Sequence, residues 1–344
     1  MIREAIALAA ERRDLPPEVA DAAMRELMEG AATPAQVAAF LVALRMKGET
    51  AAELLAFARV MREKCTRIHP ANGSPVVDLC GTGGAPLKTF NISTVASLVV
   101  AAAGVRVAKH GNRSFTSACG SADLLEALGV RIDLEPPEAR RVLEEVGMCF
   151  LFAPKFHPAM RHVALPRKEV GLRTVFNILG PLTNPAGASA QLMGVFSPSL
   201  VGTVPEVMRG LGVERALVVH NELGADEILP TGRTFVGELE DGEVRRSVLR
   251  VEELGLEPTR PEDVANVPPP EAARRALAVL RGEDGGLSDT VAINAAAGLL
   301  VAGRVARLDE GMEIARDLLD GGRALELLRR LATATGGDLT ILEG

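Results

Sequence analysis

Pro75-Val76-Val77-Asp78-Leu79-Cys80-Gly81-Thr82-Gly83-Gly84 is a short apolar run that breaks straight into a glycine-rich turn. The run predicts a strand and the glycines predict a loop at its carboxyl end. A helix is expected from Ser93, a second strand over Val105–Ala108, another polar loop, and a helix over Ser121–Leu128. Strand, polar loop and helix, repeated, is the pattern of a parallel sheet with crossover connections. In such sheets ligands bind at the carboxyl ends of the strands, where both unusual loops of this sequence fall.

Upstream, the first 65 residues read as helices. Pro16 and Pro17 precede an amphipathic run that stops at Gly30. Thr33 and Gln36 form one capping box, with Pro34 at the first helical position, and Thr50 and Glu53 form another. Arg67 to Pro75, with Pro70, Gly73 and Ser74, reads as a linker or hinge. Downstream, Arg215–His220 reads as a strand and Thr234–Leu249 as a hairpin turning at Asp241-Gly242. Pro270–Ala334 is mostly helical. The expected fold class is α/β, with a small N-terminal helical domain (residues 1–66) and a larger α/β domain (residues 75–344) around a central, mostly parallel sheet.

A chain of 344 residues with 47% hydrophobic side chains can bury a large core, and a net charge of −7 gives no electrostatic reason to expect nucleic acid. Cys65, Cys80, Cys119 and Cys149 are too far apart in sequence for a CxxC pair and read as reduced thiols. No stretch is long enough to cross a bilayer, and residues 1–14 lack a signal-peptide core, so a cytoplasmic protein without a membrane partner is expected. Trp and Tyr are both absent.

Four features carry the chemistry. In the first loop the glycines turn backbone N–H groups toward a ligand, and Asn91-Ile92-Ser93-Thr94 adds hydroxyls at a helix N-terminus. The combination suits a phosphate or diphosphate. It is not a Walker A loop, because Leu87 stands where a glycine must precede Lys88-Thr89. Taken alone, it also reads as a tight strand-to-helix turn. The second loop, Lys109-His110-Gly111-Asn112-Arg113-Ser114, carries two cations that are costly to bury without an anion. Thirdly, adjacent Asp226 and Glu227 follow a strand, and such a pair can hold Mg2+ while phosphates complete its shell. Lastly, Phe156-His157-Pro158-Ala159-Met160-Arg161-His162 and the arginines after it could clamp a small aromatic carboxylate. His157 and His162, five apart, read as packing residues rather than metal ligands.

In this order, GTGG with FNIST, KHGNRS with GSADLLEALGV, FHPAMRHVA and RTVFNILGPLTNPA resemble the anthranilate phosphoribosyltransferase family over nearly the whole chain. The resemblance implies a nucleoside phosphorylase-like fold, its helical domain completed by part of residues 165–190, and a homodimer joined through that domain. It implies transfer of the phosphoribosyl group of 5-phosphoribosyl 1-pyrophosphate to anthranilate in tryptophan biosynthesis, with Mg2+. By position, Gly81, Gly84, Ala85, Thr89, Asn91, Ser93, Thr94, Lys109, Asn112, Arg113, Ser117 and Ser121 would hold phosphoribosyl pyrophosphate. Gly81, His110, Asn112, Arg167 and Pro181 would meet anthranilate. Ser93, Asp226 and Glu227 would bind the metal, and Lys109 and Arg167 would act in catalysis.

Two positions depart from the family pattern. Ala85 replaces the usual Asp after GTGG, and Leu223 replaces an acidic residue before the Gly-x-Asp-Glu run. An altered Mg2+ dependence is therefore expected. Closure of the helical domain about Arg67–Pro75 is a further expectation. The competing readings are a pyrimidine nucleoside phosphorylase, a relative acting on another amine, and a relative that binds nucleic acid without catalysis.

Overall fold

The structure is a computed structural model that describes residues 1–71, 75–114, 117–283 and 285–343; Gly73 and Ser74 of the expected hinge, and Phe115 and Thr116 of the second loop, lie outside the described residues. Helices α1 (Ile2–Ala10), α2 (Pro17–Met28), α3 (Pro34–Lys47) and α4 (Ala51–Lys64) open the chain. No cap signals α1 in the sequence, because Met1 stands at its N-cap without a side-chain bond. Both expected capping boxes form. Thr33 accepts from the Gln36 N–H at 3.3 Å while Gln36 accepts from the Thr33 N–H at 2.9 Å, and Thr50 and Glu53 repeat the exchange.

The second part runs β1 (Val77–Gly81), α5 (Ile92–Ala102), β2 (Val107–Gly111), α6 (Ser121–Ala127), α7 (Pro136–Val146) and β3 (Met148–Phe152). The chain then leaves the sheet through α8 (Ala153–Phe156), α9 (Arg161–Val170) and α10 (Val175–Leu182). It returns with β4 (Ala190–Gly194), α11 (Leu200–Gly210), β5 (Arg215–Asn221) and the hairpin β6 (Arg233–Glu240) and β7 (Glu243–Arg250). Asp241 and Gly242, both at positive φ, make the expected hairpin turn. Helices α12 (Pro269–Leu280), α13 (Gly286–Val301), α14 (Leu308–Asp320), α15 (Arg323–Thr335) and α16 (Thr340–Glu343) complete the chain. Among the described residues no helix is long and apolar enough to cross a membrane.

The sheet has the order β3-β2-β1-β4-β5-β6-β7. Its first five strands are parallel, and the hairpin adds an antiparallel edge. β1 pairs with β2 on one side and β4 on the other, so the crossovers leave it in opposite directions and open a crevice above Gly81. One correction concerns the second loop. Lys109 and His110 lie within β2, in register with Phe150 and Leu151 of β3, and both are buried. Their backbone groups are satisfied by the neighbouring strand, which a polar sequence run does not reveal.

Each face of the sheet carries its own core. Val77, Leu79 and Leu192 pack with α5, α7 and α12–α15. Met193, Val218 and Leu239, pointing the other way by strand alternation, pack with α1–α4 and α9–α11. The N-terminal helices are therefore built onto one face of the sheet, and α9 and α10 lie against α2, α3 and α4.

Candidate active site

Strand alternation sets the chemistry at the carboxyl end of β2. Lys109 turns toward α5, where its Nζ donates to the Leu79 carbonyl at 2.5 Å and to Ser93 Oγ at 3.2 Å. His110 turns the other way, and its Nδ1 lies 3.2 Å from the Gly180 carbonyl on α10. Beneath them Asp78 of β1 is wholly buried; it accepts from the His110 N–H at 3.3 Å and from Asn184 Nδ2 at 2.8 Å. Burial pulls the Lys109 ammonium down, and the nearby Asp78 and Glu227 charges oppose that pull.

The acidic pair approaches from the end of β5. Asp226 Oδ2 accepts from the Gly83 N–H at 3.1 Å. A Cβ at Gly81 would stand 2.7 Å from that same oxygen, so a side chain there would push the Asp226 carboxylate off the turn. Glu227 is buried and accepts from the Ser93 backbone. Burial pushes both carboxyls up, and for Glu227 the adjacent Asp226 charge adds to the rise. Ser93 is thus the point where Lys109 and the acidic pair meet at the N-terminus of α5.

A divalent cation would relieve this arrangement. Two crowded carboxylates with backbone N–H partners, beside a serine hydroxyl, form an all-oxygen donor set that suits a hard cation such as Mg2+. No group of three or more His, Cys, Asp or Glu able to hold a metal exists among the described residues, so a cation here would rest on the two carboxylates and oxygens of other kinds.

Opposite this charged end the wall is neutral. The His110 and His157 rings lie 4.9 Å apart. Burial lowers His110 from its ordinary 6.5 to about 3 and His157 to about 4, so both are uncharged imidazoles. Nδ1 of His110 faces the Gly180 carbonyl, which assigns the proton there; His157 bonds the Thr183 backbone, and the Nε2 atoms of both rings are buried without a hydrogen-bond partner. Arg167, from the last turn of α9, donates to Asn177 Oδ1 at 3.4 Å and lies 5.9 Å from the Phe176 ring centre. Arg173 donates to the Gly84 carbonyl at 2.8 Å and stacks 4.4 Å from the Phe196 ring centre, tying the glycine turn to the start of α10.

All of this surrounds one cavity of about 730 Å3. Gly81, Gly84, Ala85, Thr89, Asn91, Ser93, Thr94, Lys109, His110, Asn112, Arg113, Ser117, Ser121, Arg167, Pro181, Asp226 and Glu227 all line it. Arg113 departs from the sequence argument. It is exposed, paired with Asp123 at 3.0 Å and with Glu126 at 2.8 Å, so the buried cation of this stretch is Lys109 alone. The carboxylates that neutralise Arg113 sit one and two turns into the following helix, out of view of the motif. His162 packs beneath Gly30, as a structural histidine would, whereas His157 turns into the cavity. Met61 and Asn266 also line the cavity and carry no sequence signal of their own, and Asn177 lines it from within the RTVFNILGPLTNPA stretch.

Comparison with known proteins agrees with this geometry. A family model described as "Glycosyl transferase family, helical bundle domain" matches residues 3–65, and one described as "Glycosyl transferase family, a/b domain" matches residues 73–325. An anthranilate phosphoribosyltransferase of Pelotomaculum thermopropionicum is 50% identical over 339 residues, covering 98% of this chain and 97% of its own. The crystal structure of the Thermus thermophilus anthranilate phosphoribosyltransferase superposes with a TM-score of 0.90 at 46% identity, covering 96% of this chain and 99% of its own. The Saccharomyces cerevisiae enzyme, solved in complex with PRPP and Mg, gives 0.87 at 26% identity, covering 97% and 98%. By sequence along nearly its whole length, and by the fold of both its parts, this chain belongs to the anthranilate phosphoribosyltransferase family.

Proposed function

We propose that the cavity performs the family's reaction with its two ends dividing the work: a charged end that receives phosphoribosyl pyrophosphate and a neutral end that receives anthranilate. The activity is transfer of the phosphoribosyl group to anthranilate, giving N-(5-phosphoribosyl)anthranilate and diphosphate, a step of tryptophan biosynthesis. The observation that carries the assignment of the ends is the meeting of Lys109 and the Asp226–Glu227 pair at Ser93, directly above the sheet's switch point.

Gly81, Gly84, Ala85, Thr89, Asn91, Ser93 and Thr94 form one side of the phosphoribosyl pyrophosphate site. Lys109, Asn112, Arg113, Ser117 and Ser121 form the other. Ser93, Asp226 and Glu227 would hold Mg2+ together with the diphosphate. The chemistry Mg2+ supplies when bound is neutralisation of charge on the leaving diphosphate. Lys109, fixed by two hydrogen bonds, adds a cation at the same end that needs no reorganisation as the charge grows. Loop N–H groups and the start of α5 act in the same sense.

At the other end, Arg167 clamps the anthranilate carboxylate, and Gly81, Asn112 and Pro181 border the ring. The neutral rings of His110 and His157 form part of this wall, and packing against them fixes the pose from which the amine lone pair meets the anomeric carbon. The aromatic amine starts neutral, so the reaction requires no strong base, and this wall offers none. The helical unit, residues 1–66 completed by part of 165–190, closes the neutral end, and residues 75–344 carry the charged end. Exposed Met46, Leu165 and Leu172 on and beside α3 and α9 fit a homodimer joined through the helical part. The protein acts in the cytoplasm.

Loss of anthranilate fluorescence on mixing with phosphoribosyl pyrophosphate and Mg2+ tests the reading directly. With neither Trp nor Tyr, the protein adds almost no background. Decay that needs both substrates is expected, and Ala85→Asp should change its dependence on Mg2+ concentration. Phosphate-dependent cleavage of thymidine or uridine, without anthranilate decay, would instead establish a nucleoside phosphorylase.

A further inference from the structure

We propose that Asn266 is a positioning residue that locks the two loops facing phosphoribosyl pyrophosphate at a fixed separation, so that affinity for this substrate is set from the segment preceding α12. The inference rests on the assignment of those loops made above.

Asn266 lies far downstream of the two loops, yet its side chain joins them. Its Oδ1 accepts from the backbone N–H groups of Ala118 at 2.7 Å and Cys119 at 3.2 Å. Its Nδ2 donates to the carbonyls of Thr89 at 3.1 Å and Cys119 at 3.2 Å. Both amide hydrogens and both acceptor sites of the carboxamide are therefore used. Neither Asp, which has no N–H, nor Leu, which has no polar group, could make this set.

The segment itself is zipped to the first loop. The Asn266 N–H donates to the Lys88 carbonyl at 3.1 Å, the Phe90 N–H donates to the Val264 carbonyl at 2.6 Å, and Thr89 and Ala265 form an antiparallel bridge. Arg275 of α12 holds the segment from behind, donating to the carbonyls of Ala265 at 3.1 Å and of Asp263, with its guanidinium 5.7 Å from the Phe90 ring centre. Among the described residues the second loop is fastened to α6 by Asp123, whose carboxylate accepts from the Ser114 and Gly120 N–H groups at 3.0 Å and 2.9 Å, and it meets the first loop through Asn266 and through Asn91, whose Nδ2 donates to the Cys119 carbonyl at 3.2 Å.

This geometry has a consequence for the substrate. Asn91 and Ser93 follow directly from the zipped stretch, whereas Ser117 and Ser121 flank the residues that hang on Asn266. A ligand touching both groups is bound well only if their spacing is held before it arrives. Without the amide the second loop must be ordered at the expense of binding, and a misplacement of about 1 Å costs up to about a hundredfold.

The test is Asn266→Ala, assayed by anthranilate fluorescence and by calorimetric titration of phosphoribosyl pyrophosphate with Mg2+. A rise of about ten- to a hundredfold in both KM and Kd for phosphoribosyl pyrophosphate is expected, with the anthranilate KM within about twofold of the unaltered protein. Arg275→Gln, a residue that does not line the cavity, should move the same constants in the same direction by less. It carries the test alone if Asn266→Ala does not fold. Unchanged constants for phosphoribosyl pyrophosphate in a folded variant overturn the proposal. So does an equal rise in both KM values together with a lowered melting temperature, which would mean general loosening. Ser93→Ala, run beside them, separates the two levels of inference. If it raises the phosphoribosyl pyrophosphate KM and Asn266→Ala does not, the latch is wrong and the loops stand. If neither moves it, the assignment of the loops is wrong as well.

Discussion

His110 and His157 are held below the values they would have in water because the cavity wall strips their rings of solvent, and this has a cost in acid. The unfolded chain binds protons at both imidazoles as pH falls through 6.5, whereas the folded chain resists until about 3 and about 4. Stability from these groups is therefore complete above 6.5 and is lost progressively below it. The raised Asp78, at about 6, and the raised Asp226 and Glu227 work against this slope, since the folded state holds their protons where the unfolded state has lost them. Replacing His157 removes part of the loss, so from about pH 7 to about pH 5 the urea midpoint of His157→Gln should fall less, or rise more, than that of the unaltered protein. Equal slopes for the two proteins would mean that the His157 ring is solvated.

The same residues mark the limits of sequence reading. KHGNRS and the Asp226–Glu227 pair, which line the cavity, were legible because their polarity stands out beside apolar runs. That Lys109 and His110 belong to a strand, and so point to opposite faces, was not, since a polar strand end and a loop look alike. Asn266 was invisible because its partners lie 148 and 177 residues away and it stands alone between Ala265 and Val267 without a motif.

Among the elements, those with chemical punctuation were legible. Both capping boxes and the Asp241-Gly242 turn announce themselves through residues that satisfy backbone groups locally. β3 and β4 did not. Met148–Phe152 and Ala190–Gly194 are five-residue buried strands without alternation, and nothing local tells such runs from helix segments. One capping residue does more than cap. Glu53, wholly buried, accepts from the Leu15 and Thr50 N–H groups at 2.8 Å each and pairs with buried Lys47 at 2.9 Å. It joins the loop before α2 to the junction of α3 and α4. Glu53→Ala should cost about 2–4 kcal/mol by leaving the Leu15 and Thr50 N–H groups without an acceptor, while Lys47 keeps its pair with Asp14 at 2.9 Å. Thr33→Ala, a cap at a more exposed position, should cost about 1 kcal/mol. Urea unfolding of the two variants decides it: similar losses would mean that Glu53 acts only as a cap.

At the scale of the molecule, the parallel sheet with a helical N-terminal unit was read correctly, and the packing between the two parts bears on how they can move. A hinge at Arg67–Pro75 suggests a body free to swing. In the structure α4 packs on α10 and α11, and Arg62, in the last turn of α4, donates to the Leu182 carbonyl at 2.8 Å and the Leu211 carbonyl at 3.0 Å. Swinging would part a shared apolar core, so the motion open to the helices is a slide. Small-angle scattering with and without both substrates should show a contraction of no more than about 1 Å in radius of gyration. A contraction of several ångströms would mean that the core does open.

That common core has a further implication. Two family models divide the chain at residues 65 and 73, as though it were made of two exchangeable pieces. Yet the apolar faces of α1–α4 are completed by Met193, Val204, Met208 and Val218 from beyond the divide. Units that inheritance treats as separable are, for folding, halves of one object. A protease nick between them would leave two fragments that stay together and elute as one, and neither gene fragment expressed alone would have a finished interior to fold around.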